Sequence, residues 1–541
     1  DESGKPLNVA INKTMMRIDL PKPLKAGETV QFSIDWSFNI TDRVGYIGGR
    51  PGYEYFPKDG NYLYTMAEWF PRMAVYSDFQ GWQNKQFLGQ GEFALTFGDY
   101  EVRITVPADH MVGATGVLQN PEEVLSATEL QRWNKAKQTY DAQVVIRTQA
   151  EAEALEKKKA PGKKTWVYKA ENVRDFAWTS SRKFIWDAMA VKQGGKDVMA
   201  MSYYGKEGNP LWEQYSTRVV AHTLKSYSSH TFDYPYPTAI SVEGSNGMEY
   251  PMICFNYGRP DADGTYSDAI KYGMISVIIH EVGHNYFPMI VNSDERQWTW
   301  MDEGLNTFMQ FMAEQEWDRN YPSRRGPAHK IVPYMKSEKH LLEPIMTNSE
   351  NIIQFGPNAY AKPATALNIL RETVMGRDLF DFAFQEYSRR WMFKHPTPDD
   401  LFRTLEDASA VDLDWFWRGW FYGTEPVDIS IENVAWYKLD NRTPAQKKAD
   451  AKTDFDREEA SVSKEANVKG VPATVVEADP ATRDFYNSYN PFSVTPEDEA
   501  AYKTFLGSLS EKEKSLLNSN RNFYEMTFRN IGGLVMPLIV E

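Results

Sequence analysis

Apolar and polar residues alternate along the first stretch of the chain, as in Thr29-Val-Gln-Phe-Ser-Ile-Asp-Trp36 and Tyr100-Glu-Val-Arg-Ile-Thr-Val106, with Gly and Pro between the runs. A period of two marks half-buried strands, so residues 1–172 predict an N-terminal antiparallel β-sandwich. Near 121–164 the pattern gives way to Glu, Lys, Ala and Gln, including Ala150-Glu-Ala-Glu-Ala-Leu155, which predicts a charged helical insertion. Thr165-Trp-Val-Tyr-Lys169 then reads as a strand returning to the sheet. Between 173 and 425 the period lengthens to that of helices, over Leu211 to Phe232, Ser267 to Phe287, Glu303 to Trp317 and Pro363 to Met375.

Residues 426–541 predict a small mixed α/β region. It opens on a strand-like Val427-Asp-Ile-Ser-Ile431, continues through a charged linker or exposed helix at 441–470, and has a helix at 496–517. Two apolar strand candidates follow and stop at Glu541, and an apolar strand needs a partner, so a natural chain continuing past that point is the expectation.

Length and composition narrow the function. The 541 residues suffice for several cores, and 42% apolar with 25% charged residues is the balance of a folded protein. A net charge of −14 disfavours a nucleic-acid partner. The one cysteine, Cys254, removes internal disulfides and thiolate-rich metal sites, leaving His and carboxylates as ligands. No apolar run reaches the roughly 18 to 20 residues that span a bilayer. The opening at Asp1 without methionine suggests a processed chain, for which an extracytoplasmic (periplasmic or secreted) location is favoured. Asn12, Asn39 and Asn441 head glycosylation sequons, which matter only in a eukaryotic secretory setting.

The chemistry concentrates in Ile279-His280-Glu281-Val282-Gly283-His284. Two imidazoles four residues apart share one helix face and can share a metal, while Glu281 stands beside the ion as a candidate base. Glu303, in Trp300-Met-Asp-Glu-Gly-Leu305, can return on the next helix as third ligand. Two His, one Glu and an open position form a catalytic set for one Zn2+ ion. Among eight histidines such a motif arises by chance on the order of 0.01 times, and the other six have no comparable partners.

With these residues the sequence resembles the aminopeptidase N-type zinc metallopeptidases, gluzincins that include leukotriene hydrolase, whose signature is HExxH-x18-E. Their GxMEN loop has its counterpart in Ser245-Asn-Gly-Met-Glu-Tyr-Pro251, with Asn246 in place of the first Gly and Tyr250 in place of Asn. The resemblance extends to Trp69-Phe-Pro-Arg72, Gly91-Glu-Phe93, Arg174-Asp-Phe-Ala-Trp178 and Tyr360-Ala-Lys-Pro363, over roughly residues 15 to 430. It implies a thermolysin-like, mainly α-helical (α+β) catalytic domain, with His280, His284 and Glu303 on zinc and Glu281 as base. It further implies Tyr360 as the oxyanion donor, Gly247 and Met248 along the substrate, and Glu249 on the free amine of a peptide. The expected function is therefore a zinc aminopeptidase acting on peptides with a free N-terminus. An endopeptidase on the same site and a binding protein with a vestigial site are the alternatives, and the oligomeric state stays unassigned.

Overall fold

The computed structural model describes residues 3–45, 50–425, 433–438, 440–517, 519 and 522–526. They form two compact units, one of Asp1–Thr424 with Ala466–Thr482, the other of Glu425–Glu465 with Arg483–Glu541.

The first unit begins with antiparallel sheets. Gly98–Pro107 pairs along Lys163–Val173, so the expected strand at 100–106 and the returning strand at 165–169 lie side by side. A second sheet has the order Gly52–Phe56, Asn61–Met66, Trp178–Ser181, Met111–Ala114. The expected strand at 29–36 does not form, and residues 28–41 are irregular. Their apolar side chains have no sheet face to cover, since Val30, Trp36, Phe38 and Ile40 are all exposed. Trp36 is instead held singly, its indole N–H donating to the Trp69 carbonyl at 2.7 Å.

The 121–164 stretch contains the helices Ala127–Ala136 and Gln149–Lys157, each opened by a capping box, at Ser126 and at Thr148. Between them lies an unexpected strand, Val144–Arg147, which joins the edge of a six-stranded mixed sheet. That sheet runs on through Ile185–Gln193, Lys196–Tyr204, Thr238–Glu243 and Ile253–Asn256 to Met248–Tyr250 at the far edge. The region read as helical thus contains most of the largest sheet among the described residues. Its central strands are buried along nearly their whole length, and such strands lose the alternation that identifies a strand.

Three helices position the site within this core. Leu211–His230 crosses between the parallel strands Lys196–Tyr204 and Thr238–Glu243. Asp268–Gly283, the motif helix, starts at Ser267, whose hydroxyl accepts from the Ile270 N–H at 3.2 Å. Thr299–Trp317 packs beside it, and 17 of its residues from Thr299 to Trp317 are buried. Residues 466–482 belong to this unit, where Val476 is buried and Glu477 accepts from Arg319 Nε at 2.7 Å.

The charged stretch forms helices, Pro444–Glu458 and Val462–Gly470. Pro496–Ser508 and Glu511–Leu517 replace the single helix expected there, and Val434–Lys438 pairs with Asn522–Met526. The expected strand at 427–431 and the terminal apolar strand lie outside the described residues. No helix among the described residues is long and apolar enough to cross a membrane.

Candidate metal centre

His280 and His284 project from the last turn of the motif helix with their Nε2 atoms 3.0 Å apart. Glu303, near the start of the next helix, brings Oε2 to 2.9 Å from His280 Nε2 and 3.4 Å from His284 Nε2. Ligands on a tetrahedral zinc, at about 2.0 to 2.1 Å from it, lie about 3.3 Å from one another, so the three atoms converge at nearly that spacing. The outward nitrogens are occupied. His280 Nδ1 is 2.9 Å from Gln310 Oε1, and His284 Nδ1 is 2.9 Å from both the Phe287 carbonyl and Asp302 Oδ1. Nδ1 is thereby fixed as the protonated nitrogen on each ring, which leaves two bare Nε2 lone pairs and a carboxylate facing one point, an arrangement that a cation satisfies. Burial opposes ionisation of Glu303, yet the two imidazoles facing its Oε2 hold its carboxyl well below the usual range. The donor set fits one zinc ion.

Glu281 is buried on the same helix, and its Oε2 has no hydrogen-bond partner in the protein. Burial pushes its carboxyl up to about 8, with Glu303 and Glu92 adding to the rise and His284 opposing it. Gly247 lies directly against it, and a Cβ on that residue would fall 2.7 Å from Glu281 Oε1. Only a glycine lets the sheet edge approach the motif helix this closely.

Tyr360 arrives on a wide π-helical turn, Gly356–Ala361, ahead of the helix Lys362–Ile369. Its hydroxyl donates to Glu303 Oε1 at 2.6 Å, and its ring stacks on His280 with centroids 5.8 Å apart. Burial, reinforced by Glu303, pushes the phenol well above its ordinary value, so it remains a donor.

Glu249 lies in the edge strand Met248–Tyr250, paired with Cys254, and is 3% exposed. Its Oε1 has no hydrogen-bond partner. Glu92, Glu249, Glu295 and Asp302 each place a carboxylate oxygen within 4.8 Å of the others. Arg50 pairs with Glu92, and Arg174 pairs with Glu295 at 2.6 Å, so the cations compensate two of the four. Burial, then the charge of Glu92, drives the Glu249 carboxyl well above its usual range. Tyr250, the departure from the family loop, points away from this group, its hydroxyl donating to Glu68 Oε1 at 3.0 Å. A cavity of about 830 Å³ joins Gly247, Met248, Glu249, Glu281, both histidines, Glu303 and Tyr360, with Arg50, Glu68 and Glu92 in its wall.

Sequence reasoning did not single out Arg50, Glu68, Glu92 or Asp302. Glu92 lay within a stretch matched to the family pattern, Gly91-Glu-Phe93, without a role, and Glu68 directly precedes Trp69. The remaining histidines are apart from the centre. His110 bonds Ser180 Oγ at 2.7 Å, His222 the Ala313 carbonyl at 2.8 Å, and His230 faces Glu316 at 2.8 Å.

Comparison with known proteins bears out the resemblance over this part of the chain. Residues 215–420 match the model of the peptidase family M1 domain, the domain of the aminopeptidase N-type zinc peptidases. An alanine/arginine aminopeptidase of Saccharomyces cerevisiae is 23% identical over 250 residues, covering 43% of this chain and 28% of its own length. A probable aminopeptidase of Sulfurisphaera tokodaii is 23% identical over 239 residues, covering 40% of this chain and 30% of its own. The chain thus spans less than a third of these relatives' length. A solved M1 zinc metallopeptidase variant from Deinococcus radiodurans superposes with a TM-score of 0.50 at 16% identity, over 79% of this chain and 83% of that one, which establishes a shared fold. A catalytic zinc is implied by that family, and the donor set described above accommodates it.

Proposed function

We propose that this protein is a zinc-dependent aminopeptidase that removes N-terminal residues from peptides. One observation carries the reading: a His2Glu donor set, the Glu281 carboxylate and the unpartnered, buried Glu249 carboxylate all line a single cavity. Zinc held by His280, His284 and Glu303 would act as a Lewis acid toward the scissile carbonyl and lower the pKa of a bound water. Glu281 takes the proton of the attacking water and passes it to the departing amine. Tyr360 donates its hydroxyl to the oxygen on which negative charge develops. Glu249 pairs with the substrate ammonium, with its neighbouring carboxylates deepening the negative potential, and so sets the distance from the peptide's end to the bond that breaks. Gly247 and Met248 offer backbone along the substrate at an open sheet edge.

The test compares free-amine peptides with their N-acetylated counterparts, with and without a chelator, alongside the metal content of the purified protein. Free-amine peptides should turn over with one zinc bound and acetylated ones at least about 100-fold more slowly. Glu281→Gln should keep the metal and lose at least about 10² in rate, and Glu249→Ala should lose most activity together with the discrimination. Efficient internal cleavage of blocked peptides would make the protein an endopeptidase instead, and a chain that takes up no metal would make the site vestigial.

A further inference from the structure

A smaller cavity, of about 300 Å³, opens from the same centre. It shares Gly247, His280, Glu281 and Tyr360 with the larger one but reaches none of Glu68, Glu92 and Glu249. Its walls are Gly273, Ser276 and Val277 of the motif helix and Thr307, Gln310 and Glu314 of the next. At about 1.5 Å of rise per residue, Ser276 stands about 6 Å before His280 along the helix axis, and His284 about 6 Å beyond it. Glu249 clusters with His284. On the aminopeptidase reading, on which this inference rests, a peptide whose amine is at Glu249 and whose scissile carbonyl is beside His280 therefore sends its leaving portion into the smaller cavity.

That cavity carries positive charge. Arg324 and Arg325 line it, and neither forms an ion pair with a carboxylate among the described residues. Arg325 has its guanidinium 4.3 Å from the centre of the Tyr360 ring, while Arg324 is exposed at the mouth. Besides Glu281 the lining contains one carboxylate, Glu314, whose Oε1 already accepts hydrogen bonds from Ser276 Oγ and Gln310 Nε2 at 2.8 Å each. Arg325 acts on Glu314 only through space and Arg324 is open to solvent, so in a chain of net charge −14 these two arginines, neither of them ion-paired, leave positive charge beside a peptide-sized opening where an anion can bind. The chemistry that suits two forked guanidinium groups is a carboxylate.

We propose that Arg324 and Arg325 select substrates bearing a carboxylate on the leaving side of the scissile bond. Two sources share this chemistry, the free C-terminus of a di- or tripeptide and an Asp or Glu side chain just after the bond. The larger cavity thus reads the ammonium end of the substrate and the smaller one an anionic group beyond the cut.

The experiment uses Ala-Ala-Ala as free acid and as C-terminal amide, and the amidated tetrapeptides Ala-Glu-Ala-Ala and Ala-Gln-Ala-Ala. Rates are measured on the zinc-loaded enzyme, and affinities by calorimetry on Glu281→Gln. The free acid should exceed the amide by about tenfold in kcat/KM and in affinity, a value fitting a partly exposed charge-assisted pair. A Glu-over-Gln preference without an acid-over-amide preference assigns the pair to a side chain, and the reverse assigns it to the C-terminus. In Arg324→Gln and Arg325→Gln the preference should shrink toward unity, and Arg324→Glu should reverse it. Equal handling of all anionic and neutral pairs by the wild type overturns the proposal, as does a preference that survives both Gln substitutions. Turnover of the amidated peptides without discrimination leaves the aminopeptidase reading standing and removes only this one. Calorimetry reads discrimination independently of turnover.

Discussion

The hydroxyl of Tyr360 rests on Glu303 Oε1 at 2.6 Å, and in the proposed mechanism the same donor turns to the reacting oxygen during turnover. Its stacking on His280 and the Arg325 cation above its ring hold the phenol in that position without a further polar partner. Tyr360→Phe keeps the ring and removes only the donor. The expected outcome is a fall in kcat of about 10² to 10³ with KM nearly unchanged and the zinc retained, as for loss of an oxyanion-hole donor. Steady-state kinetics with metal analysis checks it, and a raised KM at constant kcat would show that the hydroxyl merely binds substrate. At this scale Asp302 also acquires meaning. It is fully buried beside His284 Nδ1, and burial, then its neighbour Glu303, keeps its carboxyl well above the usual range.

Two helices deliver the ligands, and a glycine sets their spacing. A Cβ at Gly283 would lie 2.2 Å from Tyr227 Oη and 2.4 Å from Asn306 Oδ1. Those two atoms are themselves hydrogen-bonded at 2.8 Å, and Asn306 Nδ2 donates to the His280 carbonyl at 2.7 Å, tying the motif helix to its neighbours at the candidate ligands His280 and His284. Gly283→Ala should therefore destabilise the fold by about 1 to 3 kcal/mol through overpacking and weaken zinc binding with it. Gly273, on the same helix, faces open space, where a Cβ would meet no atom within 4 Å, and Gly273→Ala should be neutral or stabilising by up to about 1 kcal/mol. Denaturant midpoints and zinc affinities of the two variants separate close approach from helix propensity. Similar effects at both positions would mean that packing at Gly283 is not the constraint.

For the molecule as a whole, one buried acid links stability to pH. Asp187, inside the six-stranded sheet, accepts from Tyr204 Oη at 2.6 Å and from the Thr217 hydroxyl. Burial pushes its carboxyl from 3.8 up to about 7 against the effect of those hydrogen bonds. The folded chain thus holds this proton more tightly than the unfolded chain does. The associated stability is complete below the unfolded value near 3.8, declines as pH rises, and is gone above about 7. Over that window the loss is on the order of 2 to 4 kcal/mol. Asp187→Asn cannot titrate, so its stability relative to the wild type should improve between pH 4 and pH 8. Unfolding midpoints across that range measure this, and parallel pH profiles would show that Asp187 ionises normally in the fold.

The candidate ligands His280, His284 and Glu303 and the candidate base Glu281 could be read from the chain because their information is local, a four-residue helical spacing and an adjacent carboxylate, whereas Tyr360 was reached only through the family resemblance around Tyr360-Ala-Lys-Pro363. The strand at 98–107 and the helices at 211–230, 268–283 and 299–317 were legible for the same reason, each carrying the period of its own geometry. Burial erased that period in the strands Thr238–Glu243 and Ile253–Asn256, which therefore passed as part of a helical region. Alternation at 29–36 had no opposing surface and made no strand. Which charges meet was decided by tertiary structure alone. Glu92 reaches Glu249 from a segment more than 150 residues earlier in the chain, and Arg324 and Arg325 line one cavity with Ser276 from beyond the end of another helix. A carboxylate or guanidinium has no sequence period that reports its partners, since its electrostatic neighbourhood is created only when distant backbone segments pack and exclude water.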